Sequence, residues 1–436
     1  MSRRMARSVP RWQRDTLRVR AGTAPDRMSA TTIRNARLVT MSGPAGVRRG
    51  AALASLGVLE RGWVVLEHGR IHSLGEGEPP APMGEVIDAR ERALLPALVD
   101  SHTHLLHAGS RDEEWAQKWA GTPYLEIVRR GGGILSTVRA VRETPDEMLD
   151  HLLERRLLRC TRLGTGAIEV KTGYGLDVPH EMRMLESILR VAASADRPVV
   201  PTFLGGHAID PDQPNLTDEM IEDGLPRLAT RLPGAAVDAF CEEGAWSLEE
   251  CRRYLEKAKS LGLALRLHAD EFHVLGGVEL AVELGALSVD HLEASGEAQL
   301  STLASSQTVG VMLPCCGFAL DGRYANARRF VDLGGALVLA SNANPGSAPS
   351  LSLAFSIALA VRFMGLSVAE AIGASIWNSA CLLGLSREVG SIEPGKRADL
   401  MLLDGTESSL AFDVAGPGPA RVWIAGVEAP WRRERT

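Results

Sequence analysis

The residues with the clearest capacity for chemistry sit at the end of one apolar run. Leu98-Val99-Asp100 leads into Ser101-His102-Thr103-His104. Side chains along an extended strand repeat every second residue, so His102 and His104 face the same side and both imidazoles can reach one ion. Two nitrogen ligands at a strand end suit zinc or iron. Taken alone, a His-x-His pair is more often incidental than a site. Here further polar residues recur at the ends of later apolar runs: Lys171 and Tyr174, His207, Glu242 and Glu243, His268 with Glu271, and the pair Asp290-His291.

Those runs must be positioned by a repeating architecture. Eight short β-rich segments, 94–102, 167–171, 199–204, 236–240, 264–268, 287–291, 309–313 and 336–341, are each followed by a helical pattern. Eight strand and helix units predict an α/β fold, a closed (β/α)8 TIM-like barrel, whose loops gather at one rim. Thr144 is expected to cap a helix beginning at Pro145. Segments 63–75, with a turn at His68-Gly69-Arg70, and 398–404 with 421–427 read as strands at the two chain ends. The simplest assembly joins both ends into a small composite β-sandwich. The expected division is a disordered Arg-rich leader at 1–27, sandwich at 28–93, barrel at 94–385 and sandwich again at 386–436.

Composition bounds the function. A chain of 436 residues with 45% hydrophobic and 23% charged residues has the profile of a globular protein with a sizeable core. A formal charge of −6 offers no basic field for nucleic acid, and no apolar run has bilayer length, so a small-molecule substrate is expected. Six cysteines without paired spacing predict a reducing cytoplasm, and the adjacent Cys315 and Cys316 are read as buried thiols without chemistry. Residues 1–27 carry eight arginines, so either Met1 or Met28 could begin the folded protein.

The motifs then become specific. Val99-Asp100-Ser101-His102-Thr103-His104 and Gly390-Ser391-Ile392-Glu393-Pro394-Gly395-Lys396-Arg397-Ala398-Asp399-Leu400 resemble the metal-dependent amidohydrolase superfamily. Narrower motifs are Tyr124-Leu125-Glu126-Ile127, Gly131-Gly132-Gly133-Ile134, Ile168-Glu169-Val170-Lys171-Thr172-Gly173-Tyr174-Gly175, Gly205-Gly206-His207-Ala208, His268-Ala269-Asp270-Glu271-Phe272 and Asn344-Pro345-Gly346-Ser347. From about Met28 onward they are similar to the imidazolonepropionase family.

That resemblance implies a role for each matching residue. His102, His104 and His268 would bind one Zn or Fe ion, divalent or trivalent, with the residue at 342. Arg111 would hold a propionate carboxylate, helped by Tyr174 and Ser347, while His207, Glu271, Asn344 and Gly346 would surround an imidazolone ring. The implied reaction is metal-assisted hydrolysis of the cyclic amide, with Glu271, His291 and His207 as candidate proton carriers. One departure is plain: where the family has a metal-binding aspartate, this chain has Asn342, which keeps an acceptor oxygen but has no charge and cannot take a proton. Three readings follow: an imidazolonepropionase with an altered eighth strand, a hydrolase or deaminase of another cyclic amide or amidine, or a catalytically impaired homologue. A homodimer is the default assembly.

Overall fold

A computed structural model describes residues 30–122, 126, 131–414, 416 and 418–430. The Arg-rich leader and, apart from Glu126, the Tyr124 to Ile127 motif lie outside the described residues.

Strands from both chain ends join one sheet. The N-terminal part supplies β1 (Thr31–Val39), β2 (Val58–Glu67), β3 (Arg70–Glu76), β4 (Glu85–Asp88) and β5 (Ala93–Pro96), and the C-terminal part supplies β14 (Leu400–Leu402), β15 (Arg421–Ile424) and β16 (Val427–Glu428). Their order is β16-β15-β14-β5-β1-β2-β3, with β4 also on β1. The long β1 explains the continuity: its first half pairs with β4 and its second with β5, while β2 takes the other edge. The expected hairpin turn falls at His68-Gly69, between β2 and β3. Ile33, Leu38, Val64, Leu94, Leu400 and Trp423 bury the inner face.

The second sheet is parallel and runs in chain order through β6 (Leu98–Asp100), β7 (Thr165–Lys171), β8 (Val199–Gly206), β9 (Ala236–Cys241), β10 (Ala264–Ala269), β11 (Ser288–His291), β12 (Val309–Met312) and β13 (Leu337–Leu339). It closes between first and last strands where Thr103 bridges Ala343, the Asn342 amide donates to the His102 carbonyl (3.1 Å), and the His104 amide donates to the Ala343 carbonyl (2.9 Å). The result is the expected barrel. Helices cover it with apolar stripes: Asp146–Arg162 buries Leu149, Leu153, Leu157 and Cys160 at helical spacing.

Two local expectations change. The run 94–102 is not one strand. Leu94 and Leu95 pair with β14 of the end sheet, and the chain passes through Ala97 into barrel strand β6. A Cβ on Gly166 would lie 2.6 Å from that of Ala97, so glycine permits this close crossing. Thr144 does not cap the helix after it; its hydroxyl donates to Ala140 carbonyl at 2.6 Å, which closes the preceding helix, and Pro145 occupies the cap position.

The end segment is locked to the barrel by Asn378, fully buried between them. Its Oδ1 accepts from the Arg48 amide, and its Nδ2 donates to the carbonyls of Arg48 and Leu337, each at 2.8 Å. Truncation leaves buried backbone groups unpaired, so Asn378→Ala is expected to cost about 2–3 kcal/mol. Urea unfolding of the parent and variant measures this, and an unchanged midpoint refutes the assigned linkage.

Candidate active site

Inside the barrel, charged residues alternate with apolar ones along neighbouring strands: Glu169 and Lys171 on β7, Asp238 on β9, Arg266 on β10, Asp290 on β11. All are buried. Lys171 Nζ lies 2.7 Å from Glu169 Oε1 and 2.8 Å from Asp238 Oδ2. The Arg266 guanidinium spans Glu169 Oε1 (2.9 Å) and Asp290 Oδ2 (2.7 Å), and also donates to the Ser101 carbonyl and Ser288 hydroxyl. Three carboxylates against two cations leave one formal negative charge beneath the barrel mouth.

Two of those carboxylates also orient histidines. Asp290 Oδ2 is 2.6 Å from His102 Nδ1, and Asp238 Oδ1 is 3.0 Å from His268 Nδ1. A proton on each Nδ1 satisfies the carboxylate and leaves Nε2 with a free lone pair. Both Nε2 atoms are buried without a hydrogen-bond partner among the described residues, as is Asn342 Oδ1. His102, His104 and His268 each offer a ligand atom, and these atoms lie within 4.8 Å of one another. Burial, reinforced by the positive charge of Lys171, holds His102 and His268 well below 6.5; burial and then His207 do the same for His104. Neutral imidazoles with unpartnered nitrogens, beside an unpartnered amide oxygen and above a net negative cluster, fit a transition-metal ion.

A cavity of about 740 Å³ opens above them, and its wall includes His104, His268, Asn342, Arg111, Tyr174, His207, Glu271, His291, Asn344, Gly346 and Ser347. Every sequence-predicted site residue except the deeper His102 therefore lines it. Arg111 is held by Glu114 (Nε to Oε2, 3.0 Å), and Glu114 also accepts from the Gly133 amide and Ser136 hydroxyl. A Cβ at Gly346 would press on the Arg111 guanidinium and push that flexible end aside, so glycine lets it lie where it does. His207 Nδ1 is 2.7 Å from the Gly173 carbonyl, and burial lowers its pKa to about 4, so the ring is neutral. Burial raises the Tyr174 hydroxyl, which stays protonated. Asn344 differs from expectation in its engagement: Oδ1 accepts from the Gly346 and Ser347 amides (2.8 and 2.7 Å), while Nδ2 donates to the Asn342 carbonyl and Ser347 hydroxyl. It shapes the loop.

Glu271 and His291 face each other at 3.6 Å, with Glu293 on the far side of the ring at 3.2 Å. Burial opposes charge on His291, but the two carboxylates outweigh it and raise its pKa to about 9. The pair thus holds a proton on the imidazole at neutral pH, next to the Glu271 carboxylate.

Sequence reading missed Glu169, Asp238 and Arg266 as members of the ion network that orients the histidines. Their signal was present: charged residues at alternate positions within otherwise apolar strands must point into the barrel.

The chain's match to known proteins follows this geometry. The model of the amidohydrolase family matches residues 93–429, and the chain belongs to that family. Solved structures of low identity share the fold: an adenosine deaminase from Xanthomonas campestris with bound zinc (TM-score 0.65, 18% identity, 91% of this chain and 92% of that one) and a triazine hydrolase variant (0.67, 15%, 92% and 94%). Within the family, the chain is 41% identical over 404 residues to an imidazolonepropionase of Chloroflexus aggregans, covering 88% of this chain and 95% of that protein. It is 42% identical over 379 residues to one of Symbiobacterium thermophilum, covering 84% and 88%. The chain is a member of the imidazolonepropionase family, a hydrolase of carbon–nitrogen bonds.

Two outcomes follow. Lys171→Met leaves three buried carboxylates short of a cation and is expected to destabilise the fold by about 3–5 kcal/mol in denaturant titration; a loss below about 1 kcal/mol removes Lys171 from the network's centre. His291 has its pKa raised from 6.5 to about 9 on folding, so its contribution is complete below about pH 6.5 and is lost as pH rises through about 9. Chelator-treated protein should lose stability across that window, and His291→Gln should lose less; parallel curves contradict the ion pair.

Proposed function

We propose that this chain hydrolyses 4-imidazolone-5-propanoate to N-formimino-L-glutamate, the ring-opening step of histidine degradation, using a single Zn or Fe ion. The observation that carries the reading is the convergence of three neutral imidazoles, each with an unpartnered nitrogen, at the base of a cavity that the Glu114-anchored Arg111 also lines. His102, His104 and His268 would hold the ion, with Asn342 Oδ1 beside them. When bound, the ion supplies Lewis-acid polarisation of the ring carbonyl and acidifies water.

The chain's own residues do the rest. Arg111 grips the propionate through its guanidinium fork, and the Tyr174 and Ser347 hydroxyls add hydrogen bonds, which sets the ring against the histidines. His207, fixed by the Gly173 carbonyl, presents its other nitrogen to the ring. Asn342 cannot accept a proton, so Glu271 takes one from water as its oxygen bonds to the ring carbonyl carbon. The carbon–nitrogen bond then breaks, and the same proton passes to the leaving nitrogen. Cationic His291 keeps Glu271 ionised at the start of the cycle and stabilises it at the end. Its chemistry and the six unpaired cysteines support action in the cytoplasm; a homodimer is the proposed assembly on the general preference for twofold symmetry.

The second reading, an impaired homologue, is favoured by Asn342 alone. Assay of the metal-loaded protein and Asn342→Asp decides. Because Glu271 already serves as base, the parent is expected to turn over and the variant to gain no more than about a hundredfold. A silent parent rescued by Asn342→Asp overturns the hydrolase reading, and activity only on other cyclic amides or amidines reassigns the substrate. Arg111→Lys should raise KM roughly tenfold to a hundredfold through loss of charge-assisted hydrogen bonds.

A further inference from the structure

We propose that Cys316, Glu271 and His291 form a second metal site, for a thiolate-binding divalent ion of the Zn2+ class, beside the three-histidine centre. Their ligand atoms lie within 4.8 Å of one another, and all three residues are buried. They arrive from separate elements: Glu271 just beyond β10, His291 at the end of β11, Cys316 after β12. Cys316 Sγ is 3.1 Å from Glu271 Oε1, and His291 Nε2 is 3.6 Å from Glu271 Oε2. Glu293, 3.2 Å from His291 Nδ1, turns the other nitrogen toward Glu271, the arrangement by which carboxylates orient ligating histidines. Arg323 pins Glu271 from behind by donating to its carbonyl at 2.8 Å.

Charge and donor chemistry agree on the occupant. Glu271 and Glu293 face His291 at 3.6 and 3.2 Å, while the Arg323 guanidinium is paired with Asp321 at 2.7 Å. One sulfur, one nitrogen and one carboxylate oxygen suit Zn2+ and its softer congeners and disfavour Mg2+ or Ca2+. Glu271 and His291 also line the cavity, so a fourth position there would be open to water. Binding releases the thiol proton of Cys316 and the proton of His291 to solvent, with no change of oxidation state.

The consequence for catalysis rests on the function proposed above. An ion held here occupies the carboxylate that moves the proton and the imidazole that keeps it ionised, so excess Zn2+ inhibits the enzyme that one equivalent activates. The His268 and His291 rings are 5.4 Å apart, which makes the two sites immediate neighbours.

Metal-stripped full-length protein titrated with Cd2+ tests the site without reference to turnover. The parent should develop a near-ultraviolet thiolate-to-metal band, retain that band in His104→Asn, and lose it in Cys316→Ser and Cys316→Ala. Zn2+ binding should fall from two equivalents to one in both Cys316 variants, or the second affinity should weaken by at least about tenfold. Circular dichroism of the variants confirms that they fold. Absence of the band in the parent, or its persistence in both Cys316 variants, overturns the site whether or not the substrate is hydrolysed. A band without inhibition by excess Zn2+ leaves the site standing and overturns the proton-carrying role of Glu271 and the supporting role of His291.

Discussion

The buried ion cluster of Lys171, Arg266, Glu169, Asp238 and Asp290 is the constraint on which the barrel mouth depends. Such a cluster contributes little net stability, since removing five charges from water offsets much of their attraction. Its value is directional. Asp238 meets Lys171 with Oδ2 and His268 Nδ1 with Oδ1, while Asp290 Oδ2 meets both Arg266 and His102 Nδ1, so one set of contacts fixes the tautomer and the aim of His102 and His268 together. Lys171 then acts at a distance as well, because its charge reinforces burial in holding those rings neutral.

Asn342 shows what backbone and charge each decide. Its φ is +54°, a left-handed conformation that asparagine and aspartate tolerate better than other non-glycine residues. The backbone at this corner therefore accepts either side chain, and the hydrogen bond from its amide to the His102 carbonyl is indifferent to the choice. What changes is electrostatic: an anion beside the histidines becomes a dipole, and the negative balance of the cluster below supplies the remaining attraction for a cation.

Much of this was legible in the amino-acid order. The two-residue spacing of His102 and His104 forced them to one side, and eight alternations of strand and helix forced them to a rim shared with His268 and Arg111. The split of residues 94–102 between two sheets was not legible, because an apolar run looks the same whether its hydrogen-bond partners are β14 or β7. The partners of the histidines were hidden for a related reason: Asp290 lies 188 residues from His102, and only closure of the barrel brings them together. Cys316 looked inert by itself and gains interest only from the Glu271 carboxylate against it.

The composite end sheet has a consequence for biosynthesis. Leu95 pairs with Met401, so the edge of β5 stays open while the ribosome makes the whole barrel. Chains grow at about 5–20 residues per second, which leaves that edge exposed for tens of seconds in a nascent polypeptide. An unpaired strand is a template for pairing with other chains. Truncated messages that stop before β14 thus release a product with a nearly full barrel and a sticky seam, which marks it for chaperone capture or proteolysis before it can accumulate.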